Sequence, residues 1–177
     1  IIAQTLRGVA VPRDTVQVVN QRLTALSSIN TAMMRDRRNS LEIKEVVGNV
    51  LALNRCDPAR ITVNGPNLEV GSKAALAMTL ALHELCTNAA KFGALSNDDG
   101  RVTIVWSVES SAGAEHQFRM SWREENGPAV ATPGPKGFGT RLIVDNSASD
   151  LCGRSELTFP REGACWTLDA PLSGTAD

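Results

Sequence analysis

The stretch Ala81-Leu82-His83-Glu84-Leu85-Cys86-Thr87-Asn88-Ala89-Ala90-Lys91-Phe92-Gly93 limits the fold more than any other. It reads as one continuous helix. At about 100° per residue, Glu84, Asn88 and Lys91 share a narrow sector opposite Met78, Leu82, Leu85 and Ala89. One face is made to pack and the other to present a carboxylate, a carboxamide and an ammonium. Those three groups suit a metal-bound polyphosphate, which needs a proton acceptor or water-holder, an oxygen ligand for a hard cation, and a positive charge. A charged sector on a helix is more often only a solvated face. On these three residues alone that plainer reading is favoured, so the rest of the chain has to decide.

The chain has 177 residues, of which 42% are hydrophobic and 21% charged, the balance of one ordinary soluble domain plus a smaller piece. A net charge of −1 gives no electrostatic reason to expect nucleic acid. No run approaches the length of a transmembrane helix. The first residues lack the basic start and cleavage site of a signal peptide. A cytoplasmic protein without direct membrane contact is therefore expected. The chain starts without Met, in mid-helix by its pattern, and is expected to be a fragment. Cys56, Cys86, Cys152 and Cys165 are scattered in apolar surroundings with no C-x-x-C pair, which reads as reduced, mostly buried thiols rather than a zinc site or disulfide scaffold.

Residues 1–7 resemble the last turns of a helix, and Val16, Val19, Leu23, Leu26, Ile29 and Met33 form the seam of a second. The charged stretch at 35–39 marks a domain boundary. Ser40 is placed to cap a helix running from Leu41 to about Asn54. Ile61 to Val63 and Leu68 to Val70 read as a small hairpin around Asn64-Gly65-Pro66-Asn67. Ser72 then caps the long helix, and Gly93 suits a left-handed ending. Val102 to Val108 and Phe118 to Trp122 alternate as two strands joined by a loop at 110–115. After a Pro- and Gly-rich loop, Gly137-Phe138-Gly139-Thr140 opens a helix with Leu142, Ile143, Ala148, Leu151 and Cys152 inward, closed by Gly153. A last hairpin pairs Glu156 to Phe159 with Ala164 to Ala170. The sum is an α+β sandwich, a mostly antiparallel sheet with helices gathered on one side, preceded by part of a helical hairpin.

Two further features bear on chemistry. Trp122-Arg123-Glu124-Glu125-Asn126-Gly127-Pro128 puts a carboxylate at the end of a core strand, where it can accept from an exocyclic amine and so tell adenine from guanine. Alone, such an acid is more often a solvated strand end. Lys136-Gly137-Phe138-Gly139-Thr140-Arg141 puts flexible backbone and amides at a helix start, an anion site by its chemistry. The third glycine and preceding strand of a dinucleotide-binding unit are absent, as are a Walker A sequence and the motifs of eukaryotic-type kinases.

In their order, H-E-x-x-x-N-A-x-K-F-G-A-L-S at 83–96, W-x-E-x-x-G-P at 122–128 and G-F-G-T-R-L-I at 137–143 closely resemble the catalytic domain of HWE-family sensor histidine kinases. That family belongs to the wider group with the Bergerat ATP-binding fold. Its naming residues match His83, Trp122 and Glu124. The resemblance also takes in Gln4-Thr5-Leu6-Arg7, similar to the end of a phosphoacceptor helix, and Arg22-Leu23-Thr24-Ala25-Leu26, similar to the second dimerisation helix.

The resemblance implies ATP and Mg²⁺ as cofactors, with residues 1–36 as a partial dimerisation and phosphotransfer hairpin and 37–177 as the catalytic domain. It implies that Asn88 binds the metal bridging the phosphates, that Glu84 polarises the attacking histidine, and that Lys91 contacts phosphate. Glu124 would read the adenine amine. Gly127, Gly137, Gly139, Thr140 and Arg141 would form the glycine boxes, the lid base and phosphate contacts. Asn126 stands where related boxes carry glycine, a mild departure because Asn tolerates a left-handed backbone. His83 is expected to be structural, fixing the helix or a neighbouring loop. The acceptor histidine is expected upstream of Ile1, the partner to be the receiver domain of a response regulator, and the intact protein to be a homodimer. The alternatives are a catalytically silent docking or phosphotransfer module of the same fold, or a serine-directed kinase or ATPase.

Overall fold

The computed structural model describes residues 27, 40–109, 116–129 and 138–176. The expected helices of 1–36, the boundary at 35–39, the loop at 110–115 and the segment holding Gly137 lie outside them. The strands are β1 (Ser40–Glu42), β2 (Ile61–Asn64), β3 (Glu69–Gly71), β4 (Arg101–Glu109), β5 (Gln117–Glu125), β6 (Arg154–Thr158) and β7 (Cys165–Pro171). The helices are α1 (Ile43–Leu53), the central α2 (Ser72–Lys91), α3 (Phe138–Arg141), α4 (Ser147–Asp150) and α5 (Ser173–Ala176). A π-turn, Leu142–Asn146, joins α3 to α4.

The main sheet has the order β2-β4-β5-β7-β6, with every pairing antiparallel except β2 with β4. Strict alternation makes it one-sided. Val102, Ile104 and Trp106 of β4, Phe118, Met120 and Trp122 of β5, and Trp166, Leu168 and Ala170 of β7 are buried, while their neighbours face outward. The three tryptophans, each hiding roughly 150–250 Å², form the floor of a core roofed by α1 and α2. Ala74, Ala75, Ala77, Ala81 and Ala89 of α2 are also buried, and their small side chains let the helix lie close to its neighbours.

Several local expectations are corrected. Ser40 does not cap a helix; it opens β1, and its hydroxyl donates to Glu69 Oε2 at 2.5 Å across the β1–β3 pair. The two runs around Asn64-Gly65-Pro66-Asn67 do not pair with each other, since β2 joins the main sheet beside β4 while β3 pairs β1 in a separate two-stranded sheet. Ser72 is the first residue of α2 and Gly71 its cap, because Val70 and Gly71 run straight from the ladder into the helix. Gly93 is not left-handed, with φ −110 and ψ −152. The π-turn interrupts the helix expected after Gly139, and the left-handed residue at its end is Cys152, φ 53, rather than Gly153. All four cysteines are free thiols, and Cys152 is exposed rather than inward. Cys56 and Cys86, remote in sequence, lie close enough to shift each other's thiol, with Cys86 pushed up and Cys56 drawn down.

Candidate functional site

Strand β5 carries Trp122 and Glu124 on the same face, two residues apart, and delivers both to the core side. Glu124 is only 3% exposed. Its Oε2 accepts the backbone N–H of Ala94 at 2.7 Å, and its Oε1 accepts the indole N–H of Trp122 at 3.2 Å. The amide of Glu124 donates to Ala164 O at 2.9 Å. Burial pushes its carboxyl above the usual range, against the pull of these two donors. The chain around it is glycine by necessity. A Cβ on Gly93 would lie 2.0 Å from Glu124 Oε2, and one on Gly127 would lie 2.9 Å from Ala94 N. Asn126 does take the left-handed conformation, φ 56, with its carbonyl accepting Asn97 Nδ2 at 2.9 Å.

The other end of the site is on α2. Glu84 is not on an open face as the helical wheel implies; it is 9% exposed, and a Cβ on Gly139 would come within 2.7 Å of its Oε2. The start of α3 thus covers the Glu84 carboxylate, which accepts no hydrogen bond among the described residues. One turn on, Asn88 is half-exposed, and Lys91 at the helix end is fully out. Phe92, 75% exposed, follows directly. Gly139 and Thr140 are half-buried and Arg141 is exposed. The start of α3 thus meets α2 at Glu84, with Asn88 one turn further along the helix, and Glu124 and Gly127 lie beyond the end of α2 against Gly93 and Ala94.

No group of three or more His, Cys, Asp or Glu able to hold a metal occurs among the described residues. Asn88 beside a buried carboxylate fits Mg²⁺ all the same, because that ion keeps several waters and takes most ligands from phosphates rather than from a protein cage. An open groove of about 550 Å³ lies on the other flank of Glu124, between Arg123, Asn126 and Gly127 on one wall and Arg161 and Gly163 on the other. It does not include Glu84, Asn88 or Lys91.

His83 makes the structural contact expected of it. Its Nδ1 lies 3.0 Å from Asn54 Nδ2, and the same amide donates to Val50 O at 2.8 Å, tying α2 to the end of α1. Burial lowers the imidazole pKa, opposed by the charge of Glu84, so the neutral ring is favoured. Two further contributors carry no motif of their own. Arg60 donates from Nη2 to Ala94 O at 2.8 Å and from Nε and Nη2 to Gly100 O at 3.0 and 2.9 Å. The Ile143 carbonyl in the π-turn collects the hydroxyls of Ser147 and Ser155 and the indole N–H of Trp166, which anchors the segment behind Gly139.

A model of the HWE histidine kinase family matches residues 1–67. A blue-light-activated histidine kinase from Brucella anthropi is 35% identical over the whole of this chain, which spans 36% of that protein. The chain is similar to the HWE histidine kinases. The fold agrees. The histidine kinase domain of a blue-light activated histidine kinase from Erythrobacter litoralis superposes with a TM-score of 0.63 at 18% identity, over 98% of this chain and 82% of that one. Histidine kinase ThkA, solved in complex with response regulator protein TrrA, superposes with a TM-score of 0.56 at 13% identity, over 98% of this chain and 56% of that one. The chain thus has the α+β sandwich of histidine kinase catalytic domains and spans about a third of the length of the curated relatives it matches. No helix among its described residues is long and apolar enough to cross a membrane.

Proposed function

We propose that this chain is the kinase portion of a two-component sensor, binding Mg-ATP and donating the γ-phosphoryl group to an acceptor histidine. The observation that carries the reading is a pair of buried carboxylates, one within α2 and one held against the loop that follows it. Glu124 is fixed by two donors where a base would be read, and Glu84 accepts no hydrogen bond among the described residues where a proton would be taken. Asn88 supplies an amide oxygen to the metal, and Lys91, Thr140 and Arg141 supply charge and donors to phosphate oxygens. Gly137, Gly139 and Gly127 let the backbone come close to the nucleotide. When bound, the metal offsets charge on the phosphates as the imidazole nitrogen attacks in line. Glu84 holds the acceptor imidazole by its N–H and draws its proton.

Residues 1–36 would supply part of a dimerising hairpin. There a response regulator receiver domain would dock and take the phosphoryl group onto an aspartate, a partner of the kind seen with ThkA. The buried Glu84, unpartnered among the described residues, disfavours a silent docking module, because holding such a group without a use costs stability. The test is calorimetric titration of the 177-residue chain with Mg²⁺ and a non-hydrolysable ATP analogue, repeated on Asn88→Ala. The expected result is at least about a tenfold loss of Mg²⁺-dependent affinity, as for a charge-assisted contact. Equal binding by both proteins overturns the metal assignment, and binding by neither overturns the nucleotide reading.

A further inference from the structure

Trp122 is fully buried, and its indole N–H points to Glu124 Oε1 at 3.2 Å. Oε2 is taken by the Ala94 amide at 2.7 Å. The Ala94 peptide is held on its other side by Arg60, whose guanidinium bridges Ala94 O and Gly100 O with three hydrogen bonds. A glutamate at the end of a strand has one more torsion than an aspartate and would otherwise sample several carboxylate orientations. A carboxylate offers about four lone-pair sites. Two are engaged here from within the protein, one on each oxygen, which fixes the plane of the carboxylate and leaves one site free on each oxygen. Phenylalanine would fill most of the space of Trp122, but it has no N–H. Arg60 lies just before β2, far in sequence from both residues, and neither of its acceptors is a carboxylate. Its three donors serve only to hold the loop at 94–100 that carries the Ala94 amide.

We propose that Trp122 and Arg60 are positioning residues, one acting directly and the other through the Ala94 peptide, that aim the Glu124 carboxylate at the exocyclic amine of an adenine base. The inference rests on the adenine-nucleotide reading of the site. It extends that reading by assigning base discrimination to a clamp of three elements, β5, the turn before β2 and the loop after α2.

Calorimetry on the 177-residue chain with Mg-ADP and with Mg-inosine diphosphate, which has a carbonyl in place of the amine, tests it. The unaltered chain is expected to prefer ADP by roughly tenfold or more, as sites built to bond a substrate N–H do. In Trp122→Phe the ADP affinity should fall until the preference nearly vanishes, with inosine diphosphate binding little changed. Arg60→Met should lower the preference part-way, and Arg60→Lys, which keeps a donor, should recover some of it. Circular dichroism reports whether each variant folds. If Trp122→Phe does not fold, the half-exposed Arg60 pair decides. A preserved preference in the folded variants, or equal loss of both nucleotides, overturns the proposal while leaving the nucleotide reading intact. Failure of the unaltered chain to bind either nucleotide overturns both.

Discussion

Glu124 and Glu84 are both buried acids, yet they are built in opposite ways. Glu124 accepts from Ala94 and Trp122, and its own amide is tied to Ala164 O, so side chain and backbone are both immobilised. Glu84 sits mid-helix with a fixed backbone and a side chain that accepts no hydrogen bond among the described residues, covered only by the start of α3. A recognition group gains from being held, because a fixed acceptor loses little entropy on binding. A proton acceptor needs free lone pairs at the moment of reaction. Under the proposed function the contrast would put recognition at Glu124 and chemistry at Glu84, and it can be broken. Glu84→Gln should lower phosphoryl transfer to a supplied acceptor-helix polypeptide by about 10²–10⁴-fold, the usual worth of a general base, with Mg-ADP affinity little changed. Parallel loss of affinity and transfer would erase the distinction.

The glycines beside the two acids sharpen it. In Gly93→Ala the new methyl meets an oxygen that is already clamped, at 2.0 Å, and neither group can yield without breaking the bond to Ala94. A stability loss of about 1–3 kcal/mol, typical of overpacking, should accompany a large drop in ADP affinity. In Gly139→Ala the methyl meets Glu84 Oε2 at 2.7 Å, the far end of a side chain with no hydrogen bond to lose. Its cost in urea unfolding should be smaller, about 1 kcal/mol or less, and its main effect should fall on transfer rate. Equal destabilisation by the two substitutions would show that Glu84 is as firmly held as Glu124.

The parts of this arrangement that were legible in sequence are those written in local periodicity. Alternation in Val102–Val108 and Phe118–Trp122 reports a sheet with one buried face, and that face is what the strands show. The pairing of Ser40–Glu42 with Glu69–Gly71 was hidden because it joins segments about thirty residues apart, and Ser40 carries a cap signature that the tertiary ladder overrides. Glu84 was placed on an open sector because a helical wheel knows nothing of the α3 backbone that closes over it. Gly93 was read as a helix terminator, and the true demand on it, room for an oxygen from a strand thirty residues away, has no local trace. Glu124 was visible through its motif, but its donors were not. One is a backbone amide, and the arginine behind it lies in a turn with no pattern of its own.

Protonation gives the mildest test of the comparison. Glu124, raised above the ordinary 4.5 by burial, becomes protonated earlier than a free acid as pH falls. Adenine binding should therefore weaken through a window beginning above pH 4.5, as the carboxylate loses acceptor capacity. Its effect on folding has the reverse sign: the stabilisation from proton uptake is complete below the unfolded value and is lost as pH rises through the folded one. His83 is shifted down from 6.5, so the stability of its neutral, Asn54-bonded form is present above 6.5 and is lost as pH falls through the lowered value. Urea midpoints measured from pH 7.5 downward should thus begin to decline below 6.5, and His83→Gln should flatten that decline. Asn54→Ala should cost about 1 kcal/mol, one hydrogen bond's worth, at neutral pH without altering nucleotide affinity. A change in affinity would mean that the contact between α1 and α2 belongs to the site rather than to its support.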